Sequence, residues 1–572
     1  MPAGLEPVVD RAGGTATDGK EVGLVRSDWR LSRGWDYAAL LGLSVFLLTA
    51  LLTFQDYGIT YDEDWNATYG EHIIHWYTSG FSDTSALRYW TLPVQGGFSD
   101  VVARLATRVS RLGTFETYHL TVAVFAWFAL LGVYRLGRLL GTPFAGLLAL
   151  LLLWATPRFY GHAFVNLTDI PHATLSLWSL YFLARALPCL PDLPASRWAP
   201  LGVCLGLALG VRTTAAVLVA YVGLAFFLWY SAKVWRVGAG ASGGLSNPRR
   251  TALTVARKLA MVCVLAYGVM LLFWPAAQVR PNVQPVKGLL YATSFGYSFD
   301  ILFDGRLVSV ETLPWYYLLK WFWIGFPEHY VLLGGIALGM AAAGLARTAS
   351  GGAAVQLERC IALTVLTIAA IFPVAYATLA VPPNYDDVRH FLFILPPLVV
   401  LFALAFEEFV RGSAAWFVKA PVVAAVALSM ILAASDMVRL HPNQYVYFNR
   451  LFAGGMAQAA RRYETDYWGN SYKEAVEWLV ENYRSPTNGR RARVASCLYS
   501  LSTSYFLPPD RFEYLGTYHN GQTIVGTPEV DVFLASPRWG CDKKHSGTVL
   551  HTISRMGAPL SYVVEVTPQP PQ

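Results

Sequence analysis

Two stretches of the chain put carboxylates where apolar sequence stops or starts. In Tyr61-Asp62-Glu63-Asp64-Trp65-Asn66 the acids follow the apolar run 37–54. In Asn166-Leu167-Thr168-Asp169-Ile170-Pro171 the acid stands directly before another such run, with Pro171 in the first turn of the expected helix. An ionisable group at the edge of a bilayer is expensive to desolvate. That makes Asp62, Glu63 and Asp169 candidates for function. A carboxylate within hydrogen-bond reach of a hydroxyl can act as its general base. Asp64 reads as a solvated boundary residue.

Cations accompany these acids. Arg158 opens the segment that leads to Asp169. Arg212 interrupts two apolar runs in ALGVRTTAA and must meet an anion or water there. Arg389 and His390 follow Asp386-Asp387, and Lys320 sits in the aromatic run WYYLLKWFW. Guanidinium groups hold phosphate or carboxylate oxygens in a two-pronged fork. A structural alternative stands beside each: Arg212 paired with Asp169, and Arg389 paired with Asp386 or Asp387. Arg104, Arg108 and Arg111 lie on an amphipathic run suited to lipid headgroups. His72 and His75 are three apart, and His162 and His172 flank Asp169, but no tight ligand spacing links them, so no metal is expected. The sequons Asn66-Ala67-Thr68 and Asn166-Leu167-Thr168 lie beside the acids, which points to roles other than glycosylation.

The elements that must position these residues are mostly membrane helices. Of 572 residues, 55% are hydrophobic and 14% charged, against about 25% charged in soluble proteins. The mean hydropathy is +0.39. Stretches long enough to cross a bilayer lie near 37–54, 118–134, 143–157, 170–187, 199–211, 214–232, 259–275, 327–346, 360–381, 391–407 and 416–435. That is about eleven spans. Basic residues mark every second loop: Arg26/Arg30/Arg33, Arg135/Arg138, Arg185/Arg197, Lys233 to Lys258, Arg347/Arg359 and Arg411/Lys419. By the positive-inside rule the N-terminus is cytoplasmic and the C-terminus outside. The same rule accounts for the net charge of +7 without nucleic acid.

The expected organisation is a disordered cytoplasmic tail over 1–35, a membrane domain over 36–435 with a long first outer loop at 55–117, and an extracytoplasmic domain over 436–572. In that last part NSYKEAVEWLVENY has helical periodicity. RVASCLYS, VDVFLAS and LSYVVEV read as strands between turns. A small α/β domain follows. Cys497 and Cys541 both fall in it, and spacing alone leaves open whether they pair.

TYDEDWN after the first span, RFYGHAFVNLTDIPHATLSLWSLYF, DDVRHFLFILPPL, and HPNQYVYFNRLFAGG with DYWGNSYKEAVEWL resemble bacterial members of glycosyltransferase family 39. These are the protein O-mannosyltransferase and aminoarabinose-transferase relatives of the C-type superfamily. The resemblance runs from about residue 36 to 480. It implies the C-type architecture, a polyprenyl-phosphate sugar donor and inversion at the anomeric carbon. It places the catalytic base on Asp62, with Glu63 beside it, and a second functional acid on Asp169.

The residues agree with that chemistry. An attacking hydroxyl needs a base, and a phosphodiester leaving as a monoester needs cations. Arg212, Arg389, His390, Arg158 and Lys320 are the candidates to hold the phosphate. The expected partners are the lipid-linked sugar, an acceptor protein, lipid or glycan, and membrane lipids. No cofactor is implied, and the expected location is the inner (plasma) membrane. The sequence chooses neither sugar nor acceptor. A secondary transporter would place acids and broken helices near the bilayer midplane. A non-catalytic lipid-carrier scaffold would share the fold without the base.

Overall fold

The computed structural model describes residues 29–238, 247–293, 298–349, 356–484, 489–518, 530–543 and 547–566. The expected tail therefore lies outside the described residues up to residue 28. The chain runs α1 (Trp29–Thr53), α2 (Tyr61–Thr78), α3 (Phe98–Val109), α4 (Thr114–Leu140), α5 (Pro143–Trp154), α6 (Pro157–Val165), α7 (Asp169–Ala186), α8 (Ala195–Leu209), α9 (Ala216–Gly238) and α10 (Pro248–Leu271). After two short helices, α11 (Pro275–Val279) and α12 (Gln284–Thr293), come a hairpin, β1 (Asp300–Phe303) and β2 (Arg306–Ser309), and the helices α13 (Tyr317–Gly325), α14 (His329–Ala349), α15 (Leu357–Ala380), α16 (Leu395–Arg411) and α17 (Trp416–Leu440).

Seven helices among the described residues are long and apolar enough to cross a membrane, or nine if each of two bent pairs is one span. The sequence suggested about eleven. The remaining two fall on α7 and α8. Both are helical, but α7 carries Asp169, His172 and Arg185, and α8 has only 15 residues. Nearly all of α7 is buried among its neighbours, which suits a polar helix inside a bundle.

The bent pairs have identifiable causes. α5 and α6 meet at 70°. Thr156 is extended and Pro157 opens α6, so the ladder of α5 cannot continue. The bend turns α6 inward, where all nine of its residues are buried. Gly161 lets α6 pack against the Gln444–Val446 turn, because a Cβ there would collide with the Tyr445 backbone. α13 and α14 meet at 111° across Phe326-Pro327.

Beyond α17 the polypeptide turns back under α6 and builds α18 (Met456–Ala459), α19 (Tyr472–Asn482), α20 (Ser500–Ser504) and five strands: β3 (Ala492–Ser496), β4 (Phe512–Thr517), β5 (Val532–Ala535), β6 (Gly547–Arg555) and β7 (Ala558–Val566). The sheet order is β4-β3-β5-β7-β6. β3 runs parallel to β4 and β5, while β7 is antiparallel to β5 and β6. α19 lays Tyr472, Ala475, Val476 and Leu479 on this sheet. The three runs read as strands are β3, β5 and β7. β4 and β6, not foreseen, are the edges, where one face is solvated and the apolar signal is weaker. Cys497 and Cys541 form a disulfide with 6.2 Å between Cα atoms.

Candidate active site

The acids are placed by local backbone chemistry. Thr60 caps α2, and Glu63 closes a capping box: its Oε2 accepts from the Thr60 amide at 2.7 Å and the Thr60 hydroxyl at 2.9 Å. Its other oxygen meets His119 Nε2 at 3.1 Å, and the Glu63 side chain is 1% exposed. Glu63 is thus taken up in fixing the first turn of α2, which sets the direction of Asp62. Asp169 is set by Asn166, whose Oδ1 accepts from the Asp169 amide at 2.8 Å while its Nδ2 donates to Asp169 Oδ2 at 2.8 Å. Asn66 Nδ2 donates to Thr168 Oγ1 at 3.3 Å, so both sequon asparagines serve the acids' surroundings.

Asp62, Arg212, Arg389 and His390 line one cavity of about 830 Å³, and Asp169 reaches it through ion pairs. Arg389 Nη1 lies 3.0 Å from Asp62 Oδ2 and 3.8 Å from Asp169 Oδ2. Its Nη2 lies 3.1 Å from Asp386 Oδ2. Arg212 Nη2 lies 2.8 Å from Asp169 Oδ1. Each arginine therefore makes the carboxylate pairing expected of a structural residue, Arg212 with Asp169 and Arg389 with Asp386. This leaves Arg212 Nε without a hydrogen-bond partner among the described residues. His390 Nδ1 meets Asn384 Oδ1 at 3.0 Å.

Asp62 is 37% exposed at its side chain, open to the cavity. Desolvation pushes its carboxyl above the usual range. The Arg389 charge opposes this, the anions of Asp386 and Asp169 add to it, and Arg212 opposes it more weakly. Asp386 and Asp387 hold left-handed backbone, with φ of 53° and 59°. Two such residues in succession persist only where the surroundings impose them.

Two expected phosphate ligands lie elsewhere. Arg158 is 1% exposed and pairs with Asp387. It also donates to the carbonyls of Gly325 at 3.0 Å, Tyr445 at 3.1 Å and Tyr447 at 2.8 Å. Those partners engage all three nitrogens of the guanidinium and tie α6 to the bend after α13 and to the chain after α17. Burial raises Asp387 to about 6 even beside Arg158. Lys320 sits on α13 and does not line the cavity. Arg104 and Arg108 are drawn to Glu71, at 2.5 and 3.0 Å, instead of presenting a free basic face.

Sequence reasoning missed Arg538. It enters the cavity wall from the C-terminal domain, with Nη2 2.9 Å from Asp386 Oδ1 and its guanidinium 5.1 Å from the centre of the Trp539 ring. Its placing beside Trp539 and Cys541 was the one available signal. Aromatic rings complete the wall: Trp468 lies under Arg389 at 4.7 Å, with Tyr385 at 5.1 Å. Among the described residues, no group of three or more His, Cys, Asp or Glu side chains is arranged to hold a metal ion.

Residues 100–240 match the family model described as dolichyl-phosphate-mannose-protein mannosyltransferase. That match bears out the resemblance to glycosyltransferase family 39 over this segment, which contains Arg158, Asp169 and Arg212. No curated protein matches the chain. Among solved structures the chain is similar to ArnT from Cupriavidus metallidurans bound to undecaprenyl phosphate, at 13% identity and a TM-score of 0.49, over 94% of this chain and 99% of that one. It is also similar to the apo oligosaccharyltransferase of Archaeoglobus fulgidus, at 12% identity and a TM-score of 0.46, over 87% of this chain and 70% of that one.

Proposed function

We propose that this multi-pass membrane protein transfers a sugar from a polyprenyl-phosphate donor to an acceptor hydroxyl, with inversion and with Asp62 as general base. The observation that carries the reading is the alternation of charge around one cavity, in the order Asp62, Arg389, Asp169, Arg212, with Asp386 beside Arg389 and Arg538 beside Asp386. The match of residues 100–240 to a family acting on dolichyl-phosphate mannose favours the same donor class.

The cavity is divided in character. Val217, Leu289, Phe372 and Tyr376 give it an apolar part suited to the carrier chain. Arg212 and Arg389 adjoin that part and would hold the phosphate. As the anomeric C–O bond breaks, the electron pair goes to the phosphate and its charge grows from −1 to −2. Cations fixed in advance stabilise that growth most in the transition state. The acceptor oxygen attacks the opposite face of the anomeric carbon and loses its proton to Asp62. A carboxylate of raised pKa is a stronger base for that step. Asp169 orients Arg212 and Arg389. Trp65 and Trp90, whose ring centres are 4.3 Å apart, offer the acceptor a flat apolar approach beside Asp62.

The site faces outward in this reading. The basic loops assign the cytoplasmic side. The Cys497–Cys541 disulfide fits a C-terminal domain in an oxidising, extracytoplasmic compartment, and hence the inner membrane as the location. A transporter is less well supported, because the acids adjoin loops and a folded domain. The test is mass spectrometry of polyprenyl-phosphate sugars and envelope glycoconjugates in cells with the protein, without it, and with Asp62→Asn. A sugar-lipid should accumulate, and one glycoconjugate vanish, in the last two. Unchanged lipids and conjugates in both would sink the reading.

A further inference from the structure

Both halves of the disulfide end segments that form the cavity wall. Cys497 is followed by Leu498 and Tyr499, and Cys541 is preceded by Arg538, Trp539 and Gly540. Leu498, Tyr499, Arg538 and Trp539 all line the cavity. Leu498, Tyr499 and Trp539 hold left-handed backbone, with φ of 65°, 47° and 55°. Side chains other than glycine rarely keep that conformation without an outside constraint.

The sheet does not provide the constraint. The pairing of β3 with β5 ends at Ser496 and Leu534. Past it the Cys497 amide donates to Leu534 O at 2.9 Å, and the two chains part, β5 staying paired with β7 only as far as Ala535. The disulfide is the covalent link across the gap, and both its residues are buried. Beyond it the wall meets the charged row. Arg538 pairs with Asp386, and Tyr499 packs 6.2 Å from Tyr61, the neighbour of Asp62. Trp468 and Trp539 each have an indole N–H with no hydrogen-bond partner among the described residues. Buried donors of this kind call for an acceptor. Sugar hydroxyls supply acceptors, and the C–H faces of a sugar ring suit aromatic surfaces. The aliphatic chain of the carrier supplies neither, and in the proposed reading the phosphate oxygens are held by Arg212 and Arg389.

We propose that the Cys497–Cys541 disulfide is a positioning device for the transferred sugar. It holds Tyr499, Arg538 and Trp539 as the wall that the sugar contacts, while the carrier's phosphate and chain bind without it. The inference rests on the glycosyl-transfer reading and assigns its sugar subsite to the C-terminal domain.

The experiment uses the full chain in detergent and compares affinity for undecaprenyl phosphate with affinity for undecaprenyl-phosphate mannose, arabinose and 4-amino-arabinose. The parent should bind at least one sugar-bearing lipid more tightly than undecaprenyl phosphate. Cys497→Ser/Cys541→Ser should bind undecaprenyl phosphate as the parent does, yet lose roughly tenfold or more of the preference for the sugar-bearing lipid, as expected when a positioning group is freed by ~1 Å. Trp539→Ala, with the disulfide intact, should show the same selective loss and an unchanged melting temperature. A merely structural disulfide would weaken both lipids alike, and that result in the double variant overturns the proposal. If the double variant does not fold, full retention of the sugar preference by Trp539→Ala overturns it. A parent that binds undecaprenyl phosphate but prefers none of the sugar lipids refutes the wall alone. A parent that binds none of the four lipids refutes the transfer reading itself, and the wall with it.

Discussion

The guanidinium of Arg389 sits between Asp62 and Asp386, 3.0 Å from the Oδ2 of the first and 3.1 Å from the Oδ2 of the second. One cation thus couples the proposed base on α2 to a strained turn more than three hundred residues away in sequence. Asp62 is held by a group that also adjoins the proposed phosphate site, so base and leaving-group chemistry share an anchor.

If Asp62 is the base, Asp62→Asn keeps its volume and removes its basicity. Transfer should fall by ~10²–10⁴-fold with donor affinity little changed. Single-turnover transfer with purified enzyme reads this directly. Near-parental rates would shift the role to Asp169.

The raised carboxyl of Asp62 predicts the pH profile. The base works only when deprotonated, so activity should rise with pH through its folded-state pKa and then level. That limb should lie above the ordinary carboxylate value of about 4. Neighbouring charge moves it in known directions. Removing an anion in Asp386→Asn should lower the limb, and removing a cation in Arg212→Ala should raise it. Shifts in the reverse order would separate the limb from Asp62.

Arg212 and Arg389 should matter more in the transition state than in the ground state. Alanine at either position should cut kcat as well as affinity, and lysine should restore only part, because it keeps the charge but loses the fork. Full rescue of turnover by lysine at both positions would argue for charge alone and against the clamp.

Arg158 should behave differently. All three of its guanidinium nitrogens are engaged, by Asp387 and three carbonyls, in a site closed to water. Arg158→Ala leaves Asp387 buried without its cation, a change that costs about 3–5 kcal/mol in comparable settings. The expected outcome is low yield and a lowered melting temperature, with near-normal turnover in whatever folds. A well-folded, inactive Arg158→Ala enzyme would return this residue to the phosphate site.

Topology can be checked by fusion. A reporter after Gly455 should be extracytoplasmic. One at Ser242, which lies outside the described residues, should be cytoplasmic, since the basic stretch Lys233 to Lys258 surrounds it. Both reporters on one side would break the shared face on which the site depends.

Four of the charged residues around the cavity were legible because ionisable groups are conspicuous against apolar sequence: Asp62, Asp169, Arg212 and Arg389. Arg158 was equally conspicuous, yet its partners, Asp387 and the carbonyls of Gly325, Tyr445 and Tyr447, are far off in sequence, and nothing local marks a cation as structural. Glu63 carried a local sign, a Thr60-x-x-Glu63 capping box, that its place in an acidic triplet obscured. Arg538 was hidden for the opposite reason. It lies in a polar tail where arginines are common, and only the tertiary fold turns it toward Asp386. The helices followed the apolar runs, but α7 shows that apolar length alone does not separate a lipid-facing span from a helix enclosed by its neighbours.

The meeting of Arg538 with Asp386 has a consequence for how the protein is made. The membrane helices can be inserted and packed while the last residues are still on the ribosome. Until Arg538 arrives, Asp386 has one guanidinium instead of two, and the wall from Tyr499 to Trp539 does not exist. In the proposed outward topology the pocket is therefore completed only after this part of the chain has crossed the membrane, folded and closed its disulfide. A nascent or truncated chain would sit in the bilayer with its arginines in place and no finished pocket.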